Sequence, residues 1–168
     1  MSRLAKPYII DIEASGLGNG SYPIEVGLAL EPGNRFCSLI RPAEGWTHWD
    51  EQAEGIHQIS RDTLLEHGRP IMDVALDMNR LLDGRVIYSD AWGVDNTWVI
   101  ELFATAGIRQ SFMVSPLEMI LTEDQIGIWS ETRDAVAAEL GLRRHRASND
   151  SRILQETYIR TLAMTYGK

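Results

Sequence analysis

Two acids separated by one residue, Asp11 and Glu13, end the apolar run that begins at Tyr8. Alternate side chains of a strand share a face, so both carboxylates enter one neighbourhood. Like charges held together among apolar residues repel, and burial adds to the cost unless a cation neutralises them. A divalent cation is the simplest remedy, and hard oxygen donors suit Mg²⁺ or Mn²⁺, which also bind substrate phosphate. The alternative is that one acid turns to solvent or accepts a turn hydrogen bond beside Ser15. Asp95 follows the fourth strand and opens a helix, where the positive helix end favours a carboxylate and where an N-cap role is the rival reading. Asp150 stands five residues after His145, at the start of the last helix, and a histidine in an arginine-rich loop is equally a solvated surface residue.

These groups need elements to carry them. Tyr8 to Ile12 reads as a first strand that stops at the breaker-rich segment Ser15 to Gly20. Runs at 24–30 and 35–40 stop at Pro32-Gly33-Asn34 and Pro42, which predicts an antiparallel three-stranded meander. The period then changes. Ser60 caps a short helix through Glu66, with Gly68 as its stop. Ile71, Val74, Ala75, Met78, Leu81 and Leu82 recur at three and four, the signature of an amphipathic helix ended by Gly84. A fourth strand over 85–89, a helix from Trp98 to Gly107, a fifth strand over 111–114 and a helix opening at Ser115-Pro116 follow. The rest reads helical, broken near 141–146. Strands first, then strands alternating with helices, describe a mixed α/β sheet covered by helices.

Composition limits what such a domain does. At 168 residues, 44% of them hydrophobic, the chain is expected to form one domain over 1–168. It contains no apolar stretch approaching the roughly 20 residues of a membrane span, and residues 1–7 lack a signal-peptide core, so a cytoplasmic location is expected. The single cysteine, Cys37, cannot form an internal disulfide and is expected to be inert packing. A net charge of −8 argues against a protein that coats long nucleic acid. The charge is uneven: residues 44–101 hold twelve acids against four bases, and residues 143–168 six bases against two acids. A basic end beside an acidic body suits cations held next to a short polyanion, and it also suits a solvated surface.

Taken together, the four acids and the histidine resemble the DnaQ-like, or DEDDh, family of 3′–5′ exonucleases over most of the chain. The first motif is similar to Asp11-Ile12-Glu13-Ala14-Ser15-Gly16-Leu17, followed by Pro23 to Gly27 on the second strand. Ile56-His57-Gln58-Ile59-Ser60 is similar to the family's segment before its first helix. Asp95 with Trp98 matches the second motif, and His145 to Asp150 the third. The family's usual His-Asn pair before the second acid is replaced by Ser89-Asp90-Ala91-Trp92, which makes Asp90 a rival to Asp95.

The resemblance implies a ribonuclease H-like fold, a mixed five-stranded sheet flanked by helices. It also implies two divalent cations, Mg²⁺ or Mn²⁺, held by Asp11, Glu13, Asp95 and Asp150, with His145 as general base and nucleoside 5′-monophosphates as products. Ser15, Gly16 and Leu17 would meet the terminal nucleotide, with Leu17 wedged against its base. Trp92 is a further substrate candidate. Outside the family motif, Arg143, Arg144 and Arg146 flank His145 and either contact substrate phosphates, offset the local acid excess, or stand as exposed charges near a helix end. Trp46 and Trp49 either stack on bases or pack, Trp98 packs, His57 makes a structural hydrogen bond, and Glu25 supports the site. The expected partner is single-stranded or short RNA or DNA with a free 3′ end, RNA slightly preferred. The alternatives are a non-hydrolysing binding module and a polymerase proofreading subunit. An aspartate-nucleophile phosphatase fits poorly, because the lysines are Lys6 and Lys168 alone. Ile153, Leu154, Tyr158 and Leu162 on the last helix suit either a homodimer interface or burial within the monomer.

Overall fold

The structure is a computed structural model that describes residues 6–31 and 33–166. The first five residues, Pro32 and Lys168 of the readings above lie outside the described residues. Five strands form one mixed sheet in the order β3-β2-β1-β4-β5. Strand β1 (Ile9–Ala14) pairs antiparallel with β2 (Pro23–Ala29), and β2 antiparallel with β3 (Arg35–Leu39). On the other side β1 pairs parallel with β4 (Val86–Ser89), and β4 parallel with β5 (Met113–Pro116). This is the expected ribonuclease H-like architecture, a mixed sheet flanked by helices.

The helices divide between the faces. Helices α1 (Glu51–His57) and α2 (Arg61–His67) lead to the amphipathic α3 (Ile71–Leu82). Buried residues of α3 and of α4 (Trp92–Ala106) join Ile10, Ile12, Ile24, Val26, Leu28 and Ile87 in the main core. The opposite face takes α5 (Glu123–Leu140) and α6 (Ala147–Thr165), where Ile9 packs with Leu117 and Leu154. Asp11 and Glu13 share the Ile9 face by the period of two, so the strand passes from apolar packing to carboxylates under α6. Ile153 and Leu154 are buried within this chain.

Strand β2 is buried along its whole length, and its two odd residues have a purpose. A Cβ on Gly27 would fall inside 3.0 Å of the Ala147 and Ser148 backbone, so only glycine lets the start of α6 sit on the sheet. Glu25, fully buried, accepts the Ala147 backbone N–H at 2.9 Å and a forked pair of bonds from Arg146. It satisfies an N-terminal donor of a helix whose N-cap residue, Arg146, provides no side-chain cap.

Several boundaries differ from expectation. Ser60 and Gly68 cap α2 as read, but α1 was not expected; it is a short helix capped by Asp50, whose carboxylate accepts the Gln52 N–H at 2.8 Å. Helix α4 starts at Trp92, with Ala91 as N-cap, so Asp95 is not the cap and stands within the first turn. Ser115 and Pro116 end β5 instead of opening a helix, since an edge strand tolerates a proline. After a single 3₁₀ turn (Leu117–Ile120), Thr122 and Gln125 form a capping box that starts α5. Cys37 is exposed on the edge strand rather than packed. Its Sγ lies 3.5 Å from Glu25 Oε1, and desolvation, then the Glu25 charge, pushes its pKa up to about 11. Trp46 is buried and stacked on Tyr22 at 5.0 Å between ring centroids, which leaves it no face for a base. Trp98 is buried as expected.

Candidate active site

Asp11, Glu13, Asp95, His145 and Asp150 all line one cleft of about 320 Å³. Three elements and a loop deliver them. β1 presents Asp11 and Glu13, the first turn of α4 presents Asp95, the first turn of α6 presents Asp150, and the loop before α6 presents His145. Ligand atoms of Glu13, His145 and Asp150 lie within 4.8 Å of one another. Asp95 is buried and accepts a hydrogen bond from the Ser89 hydroxyl at 2.5 Å, while the same hydroxyl accepts the Ala91 N–H at 3.0 Å. Asp90, the rival acid, also lines the cleft but is exposed.

The loop before α6 is bent to bring His145 and Asp150 together. His145 adopts the left-handed region at φ 63, a conformation that costs a non-glycine residue about 1–2 kcal/mol. In return its backbone N–H donates to Asp150 Oδ2 at 2.6 Å, a bond to a charged acceptor worth roughly 1.5–3 kcal/mol. The imidazole is left exposed at the cleft. Arg144 Nε donates to the other carboxylate oxygen, Oδ1, at 3.0 Å. Both oxygens of Asp150 are thus engaged by its own loop.

The acids are short of positive charge. Burial first, and then the charges of Asp95, Glu13, Asp150 and Asp90, lift Asp11 well above the usual carboxylate range. Burial, Asp150, Glu25 and Asp95 push Glu13 up to about 7, with Arg146 opposing. Burial pushes Asp95 up to about 7 against the relief of the Ser89 hydroxyl and the Ile12 backbone, with Asp90 adding to the rise. A set of oxygen donors that holds its protons this tightly has the chemistry of a hard-cation site, and the residues present fit a divalent ion.

Of the substrate candidates, Leu17 and Arg144 line the cleft, and Leu17 is 82% exposed there. Ser15, Gly16, Trp92 and Arg143 do not line it. The Ser15 hydroxyl is used locally, accepting the Tyr22 N–H at 3.1 Å. Gly16 is required by close packing: a Cβ there would lie 2.9 Å from His48 Cε1 and 3.0 Å from Asp50 Cβ. Trp92 donates its indole N–H to the Val114 carbonyl at 2.9 Å, and the exposed Arg143 gives its carbonyl to Asn149. Trp49, half-buried, donates to Glu54 at 2.6 Å. His57 is buried and its Nδ1 accepts the Ile59 N–H at 3.0 Å.

One charged residue of the cleft went unread in the sequence: Arg133, from the middle of α5. No motif surrounds it, and the period of α5 offered no signal. Its side chain reaches the cleft wall near Asp90; although that residue is exposed overall, partial desolvation of its carboxyl raises the pKa first, and the Arg133 charge partly offsets the rise.

No protein-family model matches the chain, and no curated protein does. Solved structures resemble it. A moderately thermophilic exonuclease I from Methylocaldum szegediense superposes with a TM-score of 0.71 at 13% identity, over 96% of this chain and 41% of that one. E. coli exonuclease I in complex with a dA16 oligonucleotide gives 0.68 at 12% identity, over 95% and 41%. The zinc-bound form of an E. coli exonuclease I–single-stranded DNA complex gives 0.69 at 13%, over 95% and 40%. The likeness shows a shared fold, the ribonuclease H-like fold, and the chain spans about two fifths of the length of these structures. Among the described residues no helix is long and apolar enough to cross a membrane.

Proposed function

We propose that the chain is a single metal-dependent 3′–5′ exonuclease domain of the DEDDh type, removing nucleoside 5′-monophosphates from the free 3′ end of single-stranded or short RNA or DNA. The observation that carries this reading is the meeting of Asp11, Glu13, Asp95, Asp150 and His145 in one cleft. Exonuclease I structures of the same fold, some of them crystallised with single-stranded oligonucleotides, support it. We assign Asp95 as the third carboxylate because it is buried in the cleft and accepts the Ser89 hydroxyl, whereas Asp90 is exposed.

Asp11, Glu13, Asp95 and Asp150 would hold the cations. Two divalent ions, when bound, neutralise the phosphoryl group and supply an activated water and a stabilised leaving oxygen. The remaining work belongs to the chain. The exposed imidazole of His145 accepts a proton from the attacking water, a role its neutral ring nitrogen can fill without being a permanent metal ligand. The bent loop holds that imidazole beside Asp150 through the backbone bond to Oδ2. Leu17, projecting at the cleft mouth, packs against the terminal base. Ser89 orients the Asp95 carboxylate.

A 5′-labelled single strand incubated with Mg²⁺ or Mn²⁺ tests the proposal, with matched RNA and DNA strands reading the sugar preference. Stepwise shortening from the 3′ end is expected. For His145→Ala the loss of a general base predicts a fall in kcat of about 10²–10⁴-fold. Metal binding without any shortening would instead identify a binding module.

A further inference from the structure

The acidic cleft does not stop at Asp90. That residue is also a wall of a second cavity, of about 230 Å³, lined by Leu117, Leu121, Ile126 and Trp129, with Glu118 on its wall. The two cavities share Asp90 and border one face of α5. Ile126, Trp129, Ser130 and Arg133 follow at intervals of three, four and seven, so they form a single stripe. The first three line the apolar cavity and the last lines the acidic cleft. Trp129 and Arg133 are separated by four residues, about 6 Å along the helix, the scale of one nucleotide step.

Each part of the stripe shows unused capacity. Ile126 is 52% exposed, and the half-buried Trp129 packs only at the border of the cluster formed by Ile9, Leu117 and Leu154. The Arg133 side chain borders the cleft, its Nε makes no hydrogen bond among the described residues, and its ion pair there is a long one, to Asp134 Oδ1 at 3.8 Å. An apolar cavity of this size admits a planar ring. Its two carboxylates, Asp90 and Glu118, exclude a phosphate, so a neutral base is the matching occupant.

Resting on the exonuclease reading, we infer that the stripe is the track for the nucleotide next to the 3′ terminus. Arg133 takes the adjoining phosphate, and the base of that nucleotide stacks on Trp129 beside Ile126. An arginine presents a planar fork of donors suited to a phosphate, and an aromatic face accepts any base with little sequence preference.

The test compares a short single strand, which reaches the track, with the 5′-p-nitrophenyl ester of thymidine monophosphate, which carries a nitrophenyl leaving group in place of the next nucleotide and so has neither its base nor its phosphate. The quantity read is the strand-to-ester ratio of kcat/KM for wild type, Trp129→Ala, Ile126→Glu and Arg133→Gln. Base–aromatic stacking predicts that the ratio falls by about 5- to 150-fold in Trp129→Ala, with a fall toward the lower end in Ile126→Glu. Arg133→Gln should lower the ratio and flatten its dependence on salt. Ile126 is exposed, so its variant keeps the test valid if Trp129→Ala unfolds. Ratios within about twofold of wild type in all three, with melting temperatures preserved, overturn the track while leaving the exonuclease reading intact. Should the wild type cleave neither substrate, that reading falls. The track is then judged by fluorescence anisotropy of a labelled strand with Mg²⁺, where equal dissociation constants for wild type and Ile126→Glu overturn it.

Discussion

Replacing Gly27 by alanine should both destabilise the protein and disable the cleft, through one steric contact. Gly27 sits in β2 opposite Asp11, and its missing side chain is the space into which the first turn of α6 settles. Gly27 has the extended backbone of a strand residue, so alanine brings no backbone strain and the effect is purely one of volume. The new Cβ would meet the Ala147 carbonyl and the Ser148 nitrogen inside 3.0 Å. These are backbone atoms of a helix held by Glu25 and cannot rotate away, so α6 must retreat by on the order of 1 Å. Overpacking of this kind costs about 2–3 kcal/mol, the upper part of the usual range, because neither partner is flexible. For a chain of this size that lowers Tm by roughly 4–12 °C. Asp150 and His145 move with the helix start, and a misplacement of that size costs about 10²-fold in kcat. Scanning calorimetry and the labelled-strand assay measure the two effects. Gly127→Ala is the control: it lies inside α5 with open space around its Cβ position and should gain about 0.5–1 kcal/mol. A Gly27→Ala protein that melts with the wild type would refute the packing argument.

The raised carboxylates make a pH prediction. A folded pKa above the unfolded one favours the protonated native state, so this contribution is fullest below about pH 4 and is lost as pH rises through about 7. Moving Asp95 from 3.8 to about 7 corresponds to on the order of 4 kcal/mol. Urea midpoints without metal should therefore fall between pH 5 and pH 8, and Mg²⁺ should raise them more at pH 8; a flat metal-free profile contradicts the crowding of charge. Arg146→Ala leaves the fully buried Glu25 with the Ala147 N–H as its remaining strong donor. Because the Arg146 side chain is itself 37% exposed, the expected loss is about 2–3 kcal/mol in urea unfolding, below that of a fully buried pair. Arg144→Ala frees Asp150 Oδ1 and should change the Mn²⁺ affinity seen by calorimetry, whereas Arg143→Ala should leave it within about twofold. Equal behaviour of the two variants would remove Arg144 from the site.

Local physics made much of this molecule legible. The pairing of Asp11 with Glu13 on one strand face follows from a period of two, and the burial of Val74, Ala75, Met78 and Leu82 follows from a period near 3.6. Ser60 and Gly68 mark the ends of α2 because caps are chosen by the backbone groups of adjacent residues. Helix α1 escaped the reading, since seven residues with one buried side chain leave almost no periodicity. The start of α4 also escaped it, because Ala91 caps without a side-chain signal.

What joins distant segments was decided only in three dimensions. The Glu25–Arg146 pair spans 121 residues, and nothing near either residue announces the other. Gly27 is a glycine because a helix begun 120 residues later lies against it. Arg133 lines the cleft, and Trp129 the cavity that shares Asp90 with it, because α5 packs along α6 and lays one stripe beside Asp90. Spacing along the chain specifies which residues share a strand face or a helix stripe. Which faces meet depends on packing among elements far apart in the chain, and short-range patterns carry no record of it.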